Sequence, residues 1–318
     1  MNFQQLRSVR EAVRQDFNLT LVAEVLHTSQ PGVSRQIREL EDELGIEIFV
    51  RSGKRLLGLT PPGKTVLPII ERMLLEAQNL KRAGDDFASQ VRGTLTIAAT
   101  HSQARYALPG AVRDFSRQHP EVALRMIQGS PNHVAELLLL GEADIGVATE
   151  ALAEYGDLLA LPCYQWTHVV IVPPEHALAD EAAQGQPLTL ARLADFPLIT
   201  YEPGYTGRRH IDEAFQSAGV PTNVVLSAMD ADVIKTYVDL GMGVGIIAAI
   251  AFDEERDTHL RALDAHHLFA SNMTRLGIKR GAFLRSYVYN FITAFAPPLT
   301  REMIEQAMNA DSDPASPR

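Results

Sequence analysis

The chain has 318 residues, 46% of them apolar and 21% charged, with a formal net charge of −10 at neutral pH. That composition suits a folded globular protein of two or three compact units and excludes a disordered or fibrous one. No apolar run is long enough to span a bilayer, the first residues lack the apolar core of a secretion signal, and the one cysteine, Cys163, excludes an internal disulfide, so cytoplasmic residence is expected.

The charge is unevenly spread. Residues 1–64 carry nine Lys/Arg against eight Asp/Glu, a balance of +1, which leaves −11 for the rest. An acidic body repels polyanions and confines contact with them to a locally basic face of the head.

A first helix is predicted over residues 3 to about 15, with Phe3, Leu6, Val9 and Val13 on one side. Leu19, Val22, Ala23 and Leu26 make a second apolar face, and Val33, Ile37, Leu40 and Leu44 a third. His27, Thr28 and Ser29 form the polar break between those two short helices. Ser29 is a good N-cap, and Pro31 falls in the first turn, where its missing N–H costs nothing. This is helix-turn-helix spacing, in which the second helix enters the DNA major groove N-terminus first. Gln30, Ser34, Arg35 and Arg38 lie away from the apolar stripe, with Pro31 beside them. Gln can read adenine and Arg guanine, and both can hold phosphates. Next, I-F-V-R-S-G-K-R-L-L-G-L reads as a hairpin wing carrying Arg51, Lys54 and Arg55, suited to a phosphate track or the minor groove. An ordinary helical pair with a solvated charged face would give part of this pattern. The cap, the outward arginines and the basic wing together favour DNA.

Thr60 and Pro61 resemble an N-cap followed by proline at the first helical position, so a long helix is predicted to about residue 90. Val66, Ile70, Met73, Ala77, Leu80, Gly84 and Phe87 form a heptad stripe in it, the spacing of a two-helix seam. The alternative is a stripe packed within its own chain. Pro68 predicts a kink near residues 64–68. Val91, Arg92 and Gly93 mark a hinge.

From residue 94 strand and helix patterns alternate. Strands are predicted at 94–99, 122–128, 144–148, 168–172, 198–200, 224–227, 245–248 and 275–279. Helices are predicted at 103–118, 132–140, 190–194, 207–218, 231–240 and 283–295. This is an α/β arrangement with parallel strands, in which the chain leaves a first lobe near Pro162 and returns near His267. The tail N-A-D-S-D-P-A-S-P-R is expected to be disordered.

Ligands of open α/β sheets bind beyond the carboxyl ends of strands, where helix N-termini point. Three such ends finish in threonine: Thr100, followed by Ser102 and Gln103; Thr149; and Thr200. Hydroxyls and free N–H groups converging there suit a small oxyanion, although each threonine taken singly is a common helix cap. Fully ionised sulfate needs only donors. A protonated phosphate would also need an acceptor, for which Glu150 and Glu202 are candidates.

Enzyme readings are weaker. A lone cysteine such as Cys163, at the expected lobe crossover, is more often a buried apolar group than a nucleophile. His101, His266 and His267 lack metal-ligand companions at recognisable spacing, so no metal or cofactor is expected. Gly241-Met242-Gly243-Val244-Gly245 follows a helix and precedes a strand, the reverse of a nucleotide fingerprint, and reads as a helix end with a packing turn. Asp230 and Asp232 read as caps of the helix that follows them.

The stretch T-S-Q-P-G-V-S-R-Q-I-R-E-L-E-D-E-L-G-I-E-I-F-V-R resembles the head of LysR-type transcriptional regulators. T-H-S-Q-A-R-Y-A-L-P, Q-G-S-P, A-T-E-A-L, L-P-C-Y, Tyr205-Thr206-Gly207-Arg208 and D-A-D-V-I-K-T-Y-V-D-L-G-M-G-V-G-I-I-A look like its CysB-like branch, which takes in cysteine-regulon and sulfonate-responsive regulators. The resemblance covers nearly the whole chain except the last dozen or so residues. It implies an α/β protein with an N-terminal winged helix-turn-helix (1–60), a long linker helix for dimerisation (61–90) and a two-lobed effector domain like periplasmic binding proteins (91–305). Lobe I is expected at about 93–162 and 267–300, lobe II at about 163–266, and a disordered tail at 306–318. The implied partners are double-stranded promoter DNA, a small sulfur-containing effector or sulfate, further copies of the chain as dimer or tetramer, and RNA polymerase. The family's positions for sulfate or an acetylserine-type inducer fall here on Thr100, Ser102, Gln103, Thr149 and Thr200. Ser102 departs from the threonine of this branch, keeping the hydroxyl and losing a methyl.

Two function classes follow. One is a ligand-responsive DNA-binding regulator of sulfur metabolism. The other is a small-oxyanion carrier whose head only dimerises, which predicts no specific DNA affinity and an export signal.

Overall fold

The structure is a computed structural model that describes residues 1–53, 55–88, 92–205 and 207–309. The chain divides into two compact units, Met1–Ala88 and Ser89–Arg318.

In the first unit, α1 (Phe3–Arg14) starts from a capping box in which Asn2 and Gln5 satisfy each other's backbone N–H groups. Asn18 caps α2 (Leu19–Val25), and Ser29 caps α3 (Gln30–Leu44) by accepting from the Gly32 N–H at 3.2 Å. The third helix stops at Gly45, whose φ of 66° a residue without Cβ adopts freely. Leu6, Val9, Val22, Val33, Ile37 and Leu40 close the core between the three helices. The wing is an antiparallel hairpin of β1 (Phe49–Ser52) and β2 (Arg55–Leu59). Helix α4 (Pro61–Ala88) begins under Thr60, whose hydroxyl accepts from the Gly63 N–H at 3.0 Å, and it continues through Pro68. Its apolar stripe divides. Ile70 and Leu74 are buried in the head core with Val66 and Met73 against them, whereas Leu80 and Phe87 are 77% and 86% exposed. The within-chain packing therefore accounts for the first half of the stripe only. The head's core does not end at residue 60.

The second unit opens with β3 (Gly93–Ala99), a π-helical turn (Gln103–Ala107) and α5 (Leu108–Gln118). Then come β4 (Val122–Gln128), α6 (Pro131–Leu140), β5 (Ile145–Ala148) and β6 (Leu158–Trp166). The middle holds β7 (His168–Val172), α7 (Ala177–Ala183), α8 (Leu190–Ala194), β8 (Leu198–Tyr201), α9 (Arg208–Ser217), β9 (Val224–Ala228), α10 (Ala231–Asp239), β10 (Val244–Ala248) and β11 (Arg261–Asp264). The chain returns through β12 (Asn272–Lys279), α11 (Ser286–Phe295) and α12 (Arg301–Asn309).

Two five-stranded sheets result, ordered β4-β3-β5-β12-β6 and β11-β7-β10-β8-β9. They are mixed rather than parallel, a correction to the sequence expectation. Strand β12 runs antiparallel to β5 and β6, and β7 runs antiparallel to β10 and β11. The cause is the double crossover. A strand that enters its sheet from the other lobe starts at the cleft end and runs opposite to strands that finish there. The outward crossover is also corrected. Pro162 lies inside β6, an edge strand with a register irregularity opposite it, where proline is tolerated, and the chain changes sheets at Thr167. Strands β6 and β11 and helices α7 and α12 add to the predicted elements. Disorder from residue 306 is corrected as far as Asn309, because α12 buries Ile304 and packs Ala307 and Met308 on the first-lobe core. Lys54, residues 89–91 (with the expected end of the long helix), Thr206 and residues 310–318 lie outside the described residues.

Candidate functional site

Helix α3 exposes Gln30, Pro31, Arg35 and Arg38, with Ser34 half-buried between them. The Arg35 Nε donates to Glu39 at 2.7 Å, which raises the guanidinium pKa and holds the Glu39 carboxyl below the usual carboxylate range. In the wing, Arg55 is exposed. Arg51 is not placed as the sequence reading had it. Its guanidinium turns inward to Glu41 at 2.6 Å, and the same carboxylate accepts the Ile48 and Phe49 N–H groups at 2.8 and 3.1 Å. Glu41 is buried, so one charge on α3 staples the start of the wing and holds the Arg51 guanidinium.

Thr100, Ser102, Gln103, Thr149 and Thr200 are all buried. Strands β3 and β5 are parallel neighbours, so Thr100 and Thr149 follow adjacent strand ends, and the Thr100 N–H donates to the Val147 carbonyl at 3.2 Å. The Thr100 hydroxyl has no protein partner among the described residues, and the Ser102 hydroxyl has the Tyr201 phenol beside it. An orphaned buried group such as the Thr100 hydroxyl calls for a ligand or water. Gln103 is fixed by its own lobe: its Nε2 donates to Thr274 at 3.1 Å and its Oε1 accepts from the Tyr164 hydroxyl at 2.5 Å. Thr200 differs from the expected donor. Its hydroxyl donates to the Ile246 carbonyl at 3.0 Å, so it offers lone pairs and no proton. The next residue, Tyr201, lies on the opposite face of β8 beside Ser102 and accepts from the Ala248 N–H at 3.1 Å. Burial raises its phenol to about 12, which keeps it a neutral donor.

The sequence reading missed a second group of polar side chains at the crossovers. Trp166 and Asn272 are opposite one another in β6 and β12, and both are buried with side-chain nitrogens that have no partner among the described residues. His168 is buried, and neither ring nitrogen has a hydrogen-bond partner among the described residues; burial first, then His210, lowers its pKa to about 3. His210 of the second lobe approaches Glu150 of the first at 3.4 Å, and Glu150 also accepts the Met273 N–H at 3.2 Å. Glu202 is exposed. Placing the exit at Pro162 hid this group, because Trp166 and His168 then appeared to belong to one lobe.

Other side chains have plain structural roles. Burial raises the Cys163 thiol to about 11, so it stays protonated at neutral pH. A Cβ on Gly243 would sit 2.5 Å from the Pro197 carbonyl oxygen, which makes the glycine run a packing turn. The fold does bring His101 together with Asp230 and Asp232, companions invisible in the sequence spacing. Asp230 caps α10 through the Val233 N–H at 2.9 Å, while Asp232 accepts from the Tyr106 hydroxyl at 2.7 Å and pairs with Arg105 at 2.5 Å. Asp232 is thus an interlobe acceptor rather than a cap.

The winged helix-turn-helix head and two-sheet body define a ligand-responsive DNA-binding regulator, and the chain belongs to the LysR family. A bacterial regulatory helix-turn-helix profile of the lysR family matches residues 3–64, and the LysR substrate binding domain profile matches residues 88–297. The chain is 57% identical over 304 residues to the HTH-type transcriptional regulator SsuR of Burkholderia cenocepacia, covering 96% of this chain and 97% of that one. It is 53% identical over 313 residues to CysB of the same organism (98% and 99% covered) and 52% identical over 313 residues to cbl of Escherichia coli (98% of each). Among solved structures, the cofactor-binding domain of the Cbl transcriptional regulator matches with a TM-score of 0.65 and 46% identity, over 68% of this chain and 93% of that one. Full-length OxyR of Pseudomonas aeruginosa, at 22% identity, shares the fold, with a TM-score of 0.66 over 93% and 97% of the two chains. The protein is a transcriptional regulator and not an enzyme, and the carrier reading falls.

Proposed function

We propose that this regulator controls sulfur-metabolism promoters in the cytoplasm, acting as a dimer or tetramer, and that a small sulfur-containing effector or sulfate held between the lobes modulates its DNA binding and contact with RNA polymerase. The regulators SsuR, CysB and Cbl support the regulon. Gln30, Pro31, Ser34, Arg35, Arg38 and the wing residues Lys54 and Arg55 are the proposed DNA contacts. The observation that carries the effector reading is the buried Thr100 hydroxyl, which has no protein partner among the described residues, next to the buried Ser102 hydroxyl that faces Tyr201 of the second lobe. Thr149 and one remaining N–H of Gln103 add donors on the first lobe. Tyr201 offers a hydroxyl on the second and Thr200 an acceptor.

Titration calorimetry of the full chain with sulfate, acetylserines and adenylyl sulfate tests this. Thr100→Val keeps shape and removes one hydroxyl, so the affinity for the true effector should fall by about 1–3 kcal/mol. A variant that binds every one of these compounds as tightly as the wild type overturns the site.

A further inference from the structure

Arg35 is held from behind. Asn2 donates its N–H to the Gln5 Oε1 at 2.9 Å, the Gln5 Nε2 donates to one Glu39 oxygen at 3.2 Å, and the other Glu39 oxygen takes the Arg35 Nε at 2.7 Å. Gln5 is buried, so this chain of bonds is anchored in the head and ends at an arginine whose side chain is 80% exposed. Guanine is read by two guanidinium N–H groups at once. The Glu39 bond uses Nε, and among the described residues neither terminal nitrogen of this exposed side chain has a hydrogen-bond partner, so both remain for a base. We propose that Glu39, oriented by Gln5, is a positioning residue that sets the sequence specificity of Arg35. This rests on the reading that Arg35 contacts a base.

Two consequences follow from the chemistry. A long flexible arginine loses rotamer freedom on binding, and Glu39 imposes part of that order in advance. A bare guanidinium swings readily to any phosphate, but here it must first leave a carboxylate that itself repels DNA. Glu39 therefore lowers affinity for random sequence and raises the ratio of specific to random binding.

The test uses the full chain, a duplex selected by the wild type from a random pool, single-base variants of that duplex, and a scrambled duplex. Glu39→Gln keeps the size and removes the charge. It should bind scrambled DNA more tightly and reduce discrimination at one base pair by roughly two- to tenfold. Gln5→Ala should lose discrimination at the same base pair, with thermal unfolding reporting any general damage to the head. In an Arg35→Ala background, Glu39→Gln should change discrimination no further. A Glu39→Gln variant with wild-type discrimination, alongside an Arg35→Ala variant that loses it, overturns the positioning role and leaves the base contact standing. An Arg35→Ala variant with full discrimination removes both.

Discussion

Tyr106 donates its hydroxyl to Asp232 at 2.7 Å, a bond that joins the first lobe to the second. Arg105 reaches the same carboxylate at 2.5 Å, and Lys235 lies 5.2 Å from the centre of the Tyr106 ring while pairing with Asp257 at 2.7 Å. Both first-lobe partners sit in the π-helical turn that begins at Gln103, one residue past Ser102. A residue of the proposed effector site and the interlobe contacts thus share one short turn, and π-helical turns are frequent at functional sites.

Tyr106→Phe keeps the ring over Lys235 and removes the hydrogen bond to Asp232. The lobe arrangement seen here should lose about 0.5–1.5 kcal/mol relative to more open ones. Apparent effector affinity should then weaken by up to about tenfold, since a ligand that needs the closed state binds in proportion to its population. Solution scattering and calorimetry on the variant read the two effects. Unchanged effector affinity would remove the contact from the switch.

Arg51 and Arg55 should behave differently although both are wing arginines. Arg51→Ala leaves the buried Glu41 short of a partner, so the head should lose about 1–3 kcal/mol of stability. Arg55→Ala should leave stability nearly unchanged and flatten the salt dependence of DNA binding by about one phosphate contact. Chemical denaturation and salt titration separate them. Equal behaviour of the two would contradict the inward placement of Arg51.

Much of this was legible in the sequence because local chemistry marked it. Ser29, Pro31 and Thr60 announce helix starts through caps and proline geometry. The strand over 122–128 and the helix over 190–194 follow from periodicity alone. What escaped depends on contacts between distant segments. Pro162 reads as a break, yet β6 accommodates it at a sheet edge paired with a strand more than a hundred residues away. Nothing beside Arg51 in the wing says that Glu41 will face it. Thr200 looks like a free strand-end donor until β10 supplies the Ile246 carbonyl. His168 and Asn272 carry no motif, and only the double crossover makes them neighbours of the cleft.

His168 gives the protein an acid-sensitive element. Its folded pKa of about 3 lies below the ordinary value of 6.5, so on acidification the unfolded chain takes up the proton first. The penalty is absent above about pH 7, begins as pH falls through 6.5 and grows until about 3. Between pH 7 and pH 5 it should remove about 2 kcal/mol of stability. His168→Phe packs between the same rings and should flatten that part of the acid slope. Urea unfolding of both proteins at the two pH values checks this, and equal losses would show that His168 does not titrate between the states.

The decisive measurement is footprinting of the full chain on its selected duplex, with and without the effector found by calorimetry, in the wild type and in Thr100→Val. The wild-type footprint should change when effector is added. Thr100→Val should give the same effector-free footprint and affinity, because its head is untouched, and should need a higher effector concentration for the same change. A wild-type footprint indifferent to every bound effector, or a Thr100→Val variant that responds at wild-type concentrations, would contradict a switch operated from between the lobes.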